Sequence, residues 1–212
     1  MEIPEDYKNG YKNFLGVKID LSKRPLIPRE ETEYWVSTFI NDNNKSIKCL
    51  DLFSGSGCIG LSILKNIKES TCDFGEIDDG FIEQIKINIE INNIDINRCK
   101  VLKTNIFSGI NDKYDVILAN PPYVAEDRKD EVGEDVKKFE PAIALYGGKD
   151  GMEIIRFFLT EAKEHLKEDG LIIMEFDPEQ KKEIEEIIKN IYSDYEFKKD
   201  QFDKYRFVKI NK

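Results

Sequence analysis

The chain has 212 residues, 40% of them apolar and 35% charged, and a net charge of −10; that fits one domain, or one domain with an appendage, and a sizeable core. No stretch approaches the ~20 consecutive apolar residues of a membrane span, and MEIPEDYKNG lacks the basic and apolar regions of a signal peptide. The acidity argues against a nucleic acid as partner, so a soluble cytoplasmic protein acting on a protein or small molecule is expected, with no membrane contact.

The first strong periodic pattern is a helix from about Arg29 in PREETEYWVSTFINDNN, with Tyr34, Trp35, Thr38 and Phe39 at its apolar positions. Residues 1–28 are set apart as a short N-terminal extension, and 29–212 as the principal domain. From there short apolar runs alternate with helical patterns. IKCLDLF (Ile47–Phe53) predicts a strand and CIGLSILKNI a helix. CDFGEI predicts a second strand, and DDGFIEQIKINIEIN a helix with Ile82, Ile85 and Ile89 on one stripe. CKVLKT and YDVILAN predict a third and a fourth strand.

A long loop runs from Asn120 to about Gly148, and its charged stretch PYVAEDRKDEVGEDVKKFEPA is expected to be mobile until substrate arrives. Next comes a helix with Met152, Ile155, Leu159, Ala162 and Leu166 at three-and-four spacing. The strand GLIIMEF leads into DPEQ, where Asp177 caps a helix, Pro178 takes its first position and Gln180 completes a capping box. That helix carries Ile184, Ile187, Ile188 and Ile191. YEFKKD and YRFVKI, joined by QFDK, alternate with period two and predict an antiparallel pair.

Strand–helix alternation with unbroken apolar strands implies a parallel sheet covered on both faces. The closing hairpin makes it an α/β, doubly wound, Rossmann-like mixed sheet of about seven strands. Ligands of such sheets sit beyond the carboxyl ends of the strands. The turn after Phe53, the end of CDFGEI and Asn120 therefore share one rim.

Cys49, Cys58, Cys72 and Cys99 show no Cys-x-x-Cys spacing, and His165 is the single histidine. Zinc ligation wants clustered Cys and His, so no metal is expected. The cysteines read as small core hydrophobes and His165 as the cation of a helix's last turn.

LDLFSGSGCIG holds Gly55-x-Gly57-x-x-Gly60 between a strand and a helix. Such a turn lets the backbone approach a ligand, though alone it is a weak signal. Glu76 follows about 20 positions later at a strand tip, where a carboxylate can accept both ribose hydroxyls of an adenosine. Nicotinamide dinucleotides and S-adenosylmethionine share that layout. Asp51, on the strand ahead of the loop, where a buried negative charge would face the ligand, helps to separate them. Its charge repels a pyrophosphate but suits an ammonium and a sulfonium, which favours the methyl donor and leaves the dinucleotide open.

Within YDVILANPPYVAEDR, neither Pro121 nor Pro122 has an N–H for a sheet ladder. The proline after Asn120 also holds that residue extended, which fixes its side chain just past a strand. Methyl transfer from a sulfonium chiefly needs the acceptor held in line. An amide or amino nitrogen has a delocalised lone pair. Two acceptors on its two N–H hydrogens, Oδ1 of Asn120 and the carbonyl of Pro121, would turn that pair toward the methyl group. Those bonds tighten as positive charge builds on nitrogen. Tyr123 would pack on the acceptor's flat face, and no general base is needed before the transfer.

NPPY after a strand, together with DLFSGSG, resembles the class I S-adenosylmethionine-dependent methyltransferases that modify amino groups on planar systems. RPLIPREETE (Arg24–Glu33), NPPYV, EPAIALYGGKDG (Glu140–Gly151) and KDQFDKYRFV resemble more narrowly the HemK/PrmC-type protein-(glutamine N5) methyltransferases, over nearly the whole chain. The resemblance implies S-adenosyl-L-methionine as methyl donor and, as partner, a peptide chain release factor, methylated on the glutamine of its Gly-Gly-Gln motif. By position it implies that Phe53, Ser54, Gly55, Ser56 and Gly57 line the methionine part of the donor, with Asp51 and Asn120 nearby. Glu76 would take the ribose, Ile77 would pack on the adenine, and Asn105 and Ile106 would flank that ring. Asn120, Pro121, Pro122 and Tyr123 would hold the glutamine, with Asn120, Pro121 and Tyr123 as the catalytic set.

The family usually has aspartate where Glu76 stands, an acid where Asn105 stands, and proline where Glu30 stands. It also has a glycine after the Glu-aliphatic pair, where this chain reads EFDPEQ. Its bacterial members carry a separate N-terminal helical domain that grips the release factor. Here MEIPEDYKNGYKNF precedes the matching stretch, so a monomer docking through another surface, or through a helper subunit, is expected. Four other readings remain: the same chemistry on the glutamine of another protein, an amino methyltransferase of adenine or cytosine in RNA or DNA, a dinucleotide-dependent oxidoreductase, and a scaffold that kept the fold without catalysis.

Overall fold

A computed structural model describes residues 2–212. A short helix, α1 (Glu5–Asn9), leads into a hairpin of β1 (Tyr11–Phe14) and β2 (Val17–Asp20), and α2 (Glu30–Asp42) follows. The chain then alternates β3 (Lys48–Leu52), α3 (Cys58–Asn66), β4 (Thr71–Glu76), α4 (Asp79–Ile91), β5 (Cys99–Lys103) and β6 (Tyr114–Ala119). Beyond β6 come α5 (Glu134–Phe139), α6 (Glu153–Glu161), β7 (Leu166–Glu175), α7 (Lys181–Ile188), and the hairpin β8 (Asp194–Lys199) and β9 (Tyr205–Asn211).

Among the described residues, seven strands form one sheet in the order β5-β4-β3-β6-β7-β9-β8. The first five run parallel, and β9 is antiparallel to both β7 and β8. This is the mixed Rossmann-like sheet the alternation implies. Its central strands are buried on both faces, which is why they read as unbroken apolar runs. One face packs against Trp35, Phe39, Leu61, Ile63 and Ile85, the other against Ile155, Phe158, Leu159 and Ile184. Gly60 lies where α3 crosses β4. A Cβ there would sit 2.5 Å from the ring of Phe74 and 2.6 Å from Sγ of Cys72, so only glycine permits this approach.

Phe14, Val17, Ile19 and Leu21, within the segment set apart as an extension, belong to the first of these two clusters. Side-chain amides on α4 and at its C-cap, Asn92, close the outer edge of the hairpin and the turn that follows it. The N–H groups of Lys18, Asp20 and Lys23 donate to Asn92, Asn88 and Gln84, each over 2.8 Å. Hydrogen bonding blunts a strand edge that would otherwise be open to pairing. It also explains why Gln84 and Asn88 are buried on the stripe beside Ile85 and Ile89, while Ile82 is only partly buried.

Other expectations need correction. The buried face of α2 is Thr32, Trp35, Val36 and Phe39; Tyr34 is exposed. The helix expected to reach Leu166 ends at Glu161, a 3₁₀ turn covers Ala162–His165, and Leu166 already belongs to β7. Ala162 and Leu166 are buried even so, because the tighter turn keeps both on the inner side. The segment from Asn120 to Gly148 is not structureless: besides α5 it holds 3₁₀ turns at Glu126–Glu131 and Ala142–Ala144. These pieces are too short for a periodic signal. Cys49, Cys58 and Cys72 are buried and Cys99 partly so, all as free thiols. His165 stacks on Phe107 with ring centroids 4.4 Å apart. Among the described residues no helix is long and apolar enough to cross a membrane.

Candidate active site

Leu52, the last residue of β3, pairs with Gly75 of β4 on one side and Ala119 of β6 on the other. The connections turn opposite ways from β3, and such a reversal leaves a crevice at the strand tips. A cleft opens there. Phe53, Ser54, Gly55 and Ser56 form its floor after β3, and Glu76 and Ile77 line it after β4. Asn105 and Ile106 contribute after β5, Asn120 and Pro122 after β6.

The floor is a strained backbone. Phe53 and Ile106 take φ of 61° and 53°, a left-handed conformation that side chains with a Cβ adopt at a cost of roughly 1–2 kcal/mol each. Gly55 has φ 54°, and a Cβ added to it would point into open space. The loop is tied down by the Ser54 hydroxyl donating to the carbonyl of Asp51 at 2.6 Å and by the Gly57 N–H donating to the carbonyl of Ser54 at 2.7 Å.

Glu76 is 7% exposed at the tip of β4. Its Oε2 accepts the Gly55 N–H at 2.8 Å, and its Oε1 accepts the N–H groups of Ile77 and Asp78 at 2.8 and 3.0 Å. Burial pushes its pKa up, and the three N–H donors pull it back. A carboxylate offers about four lone-pair sites, so one remains on Oε2 beside the glycine loop.

Asp51 is fully buried and does not reach the cleft wall. It lies beneath the loop, with Oδ2 accepting the Gly60 N–H at 2.9 Å and Oδ1 meeting no donor. Burial raises its pKa to about 8, with Glu76 adding repulsion against the pull of the Gly60 N–H. Asp51 therefore stands beneath the loop and not in the cleft wall, where a group facing a ligand would be. Gly57 and Pro121 also stand off the wall. Tyr123 lines an adjoining recess together with Leu26, Arg29, Asn120 and Ala144, which also line the cleft, so the two spaces share a wall that includes Asn120.

Sequence reasoning missed several groups. Leu26, Pro28 and Arg29 come into the cleft from the stretch leading into α2, Thr32 from its first turn, and Ile143 and Ala144 from the 120–148 segment. Nδ2 of Asn120 donates to the Thr32 hydroxyl at 3.3 Å. Arg29 pairs with Glu140 at 2.5 Å, and the Glu140 side chain is 2% exposed. Apart from Asn120, these residues lie in RPLIPREETE and EPAIALYGGKDG, visible in the sequence only as family motifs.

The second motif braces the first turn. Val124 and Gly147 exchange backbone bonds with Leu145 and Val124 at 2.8 and 3.0 Å. A Cβ on Gly147 would sit 2.3 Å from the carbonyl oxygen of Pro122, so glycine is what lets the two segments touch. Gln180 completes the predicted capping box with Asp177. Its Nε2 also donates to the carbonyl of Tyr123 at 2.9 Å and of Gly151 at 3.0 Å.

An open glycine turn, a carboxylate with a spare lone pair at the next strand tip, exposed Ile77 and Asn105 at the mouth, and a buried carboxyl under the floor with one oxygen lacking a donor fit an adenosine carrying positive charge. The family described as methyltransferase small domain matches residues 31–138. A methyltransferase from Pyrococcus furiosus superposes with a TM-score of 0.69 at 21% identity, over 92% of this chain and 88% of that one. A 16S rRNA methyltransferase from Thermus thermophilus, solved with AdoMet and guanosine, gives 0.66 at 14% identity, over 95% and 49%. Fold and cleft thus define a methyltransferase of the Rossmann-like class. Release factor glutamine methyltransferase of Streptococcus pneumoniae is 31% identical over 98% of this chain and 75% of its own length. That of Clostridium botulinum is 34% identical over 100% and 76%. The chain belongs to the release factor glutamine methyltransferase family.

Proposed function

We propose that this enzyme moves a methyl group from S-adenosyl-L-methionine to the side-chain amide nitrogen, N5, of the glutamine in the Gly-Gly-Gln motif of a peptide chain release factor. The observation that carries this is Asn120, held between the donor cleft and the recess of Tyr123 with Nδ2 engaged by Thr32 and Oδ1 free of donors among the described residues. The donor supplies a methyl carbon on a sulfonium: the new N–C bond forms as the C–S bond breaks, its electron pair stays on sulfur, and the nitrogen then gives a proton to water.

Phe53, Ser54, Gly55 and Ser56 surround the methionine part of the donor, Gly57 turns the chain behind them, and Asp51 balances the donor's positive charge from below. Glu76 accepts a ribose hydroxyl, and Ile77, Asn105 and Ile106 enclose the adenine. Oδ1 of Asn120 and the carbonyl of Pro121 accept the two hydrogens of the glutamine amide and steer its lone pair toward the methyl carbon. Tyr123 and Pro122 hold the amide flat. Burial keeps the Tyr123 phenol protonated by raising its pKa, so it serves as a surface and not as a base. The net charge of −10 supports a protein acceptor over adenine or cytosine in a nucleic acid.

Mass spectrometry of purified release factor after incubation with enzyme and donor should find one added methyl on the Gly-Gly-Gln peptide. Methyl found only in nucleic acid would overturn the proposal.

A further inference from the structure

The Asn-Pro-Pro-Tyr turn fixes where the Asn120 side chain lies, but not which end of its amide faces the acceptor. An amide oxygen and an NH₂ group are nearly the same size, and only hydrogen bonding tells them apart. We propose that Glu175 and Thr32 are positioning residues that impose this choice, turning Oδ1 of Asn120 toward the substrate. The proposal rests on the reading of Asn120 as the acceptor's clamp and deepens it.

The three side chains form a chain of one polarity. Glu175 ends β7 and is 1% exposed. Its Oε2 accepts two bonds, from the Thr32 hydroxyl at 2.7 Å and from the Trp35 indole N–H at 2.8 Å. An indole N–H can only donate. Because Oε2 is filled by two donors, any proton on this carboxyl must sit on Oε1, and the polarity is the same in either charge state. The single proton of the Thr32 hydroxyl is thereby spent on Glu175. Toward Asn120 the Thr32 oxygen can only accept, so it takes Nδ2–H at 3.3 Å and leaves Oδ1 for the cleft. Reversing the amide would set lone pair against lone pair at Thr32, and N–H against N–H at the substrate.

No local pattern contains this relay. Glu175 and Thr32 lie 143 positions apart, and Thr32 and Asn120 lie 88 apart. Thr32 is 2% exposed. It sits in the first turn of α2, where that helix meets the carboxyl ends of β6 and β7. The arrangement therefore serves the orientation of one amide as well as packing.

Four variants separate orientation from bulk. Thr32→Val keeps the volume and removes the hydroxyl; Thr32→Ser restores it. Glu175→Met frees the Thr32 proton to donate to Oδ1 of Asn120 and so favours the flipped amide. Glu175→Gln still offers one oxygen to both donors. At saturating donor and release factor, kcat should fall about tenfold or more in Thr32→Val and Glu175→Met, and stay within about threefold in Thr32→Ser and Glu175→Gln. A second readout needs no protein substrate. The side-chain ¹⁵N–¹H₂ signals of Asn120, identified by their loss in Asn120→Asp, should shift in Thr32→Val and hold their place in Thr32→Ser. If Glu175→Met fails to fold, Thr32→Val tests the proposal by itself. A Thr32→Val enzyme with kcat within threefold of wild type and unmoved Asn120 signals would overturn it. A wild-type enzyme that leaves the glutamine unmethylated would overturn the assigned acceptor instead, while the amide signals would still report on the relay.

Discussion

Gly60 donates its backbone N–H to Oδ2 of Asp51 across 2.9 Å, and Oδ1 of the same buried carboxyl meets no donor. The helix that follows the glycine loop is thus anchored on a group whose pKa burial lifts to about 8. A carboxyl with a higher pKa folded than unfolded binds its proton more tightly in the native state. Its stabilising contribution is complete below the unfolded value of about 4 and is lost as the pH climbs through the folded one. Urea unfolding between about pH 5 and pH 8 should show wild-type stability falling relative to Asp51→Asn, which lacks this group. Parallel curves for the two proteins would place the Asp51 pKa near its ordinary value.

The same carboxyl should sense the donor. A cation brought close lowers a carboxyl pKa, so binding below about pH 8 should expel a proton from Asp51. Calorimetric titration with S-adenosylmethionine near pH 6.5, in two buffers of different ionisation enthalpy, should give apparent enthalpies that differ for wild type. They should converge for Asp51→Asn. Identical enthalpies for wild type in both buffers would mean that Asp51 lies outside the field of the ligand.

Arg29 and Glu140 join the two walls of the cleft that the strand tips do not supply. The carboxylate side chain is 2% exposed and the guanidinium 34%, with a 2.5 Å contact between them and Glu140 Oε2 lacking a donor. Arg29→Met leaves a buried anion without its cation, which should cost about 2 kcal/mol once the partial exposure of the arginine is discounted. The double variant Arg29→Met/Glu140→Met removes both charges and should recover most of that loss. Chemical unfolding of both variants checks the pair. A double variant no more stable than the single one would show that hydrogen-bond geometry, and not charge, matters here.

Asn120, the glycine loop and Glu76 were legible in the sequence because each is attached to a strand end, and a parallel sheet brings strand ends to one rim. Thr32, Arg29, Glu140 and Glu175 were not. Their partners stand dozens of positions away, and each looks locally like an ordinary helix, loop or strand residue. Asp51 lies under the loop and not at the cleft wall, and its depth was not legible because period-two alternation on a strand buried on both faces does not say which side opens to the cleft. The end of α6 was hidden because a 3₁₀ turn continued the apolar spacing as far as Leu166. The resemblance to the family pointed to PREETE and EPAIALYGGKDG, and tertiary contacts supply their cause: one carries the hydroxyl beside Asn120, the other presses glycine backbone against the Pro122 carbonyl.

That last contact yields a prediction about catalysis without loss of fold. A Cβ on Gly147 would lie 2.3 Å from the Pro122 oxygen and 2.7 Å from that of Gly151, so Gly147→Ala must push the turn bearing Asn120 and Tyr123 outward. The floor of the donor cleft lies on β3 and β4 and is untouched. Displacing a positioned group by about 1 Å can cost on the order of a hundredfold in rate. Gly147→Ala should therefore keep donor affinity within about threefold by calorimetry while lowering kcat on the release factor by ten- to a hundredfold. Gln180→Leu, which removes the bonds to the carbonyls of Tyr123 and Gly151, should show the same pattern in milder form. Should Gly147→Ala weaken donor binding as much as it slows turnover, the brace would be holding the cleft as a whole and not the Asn120 turn.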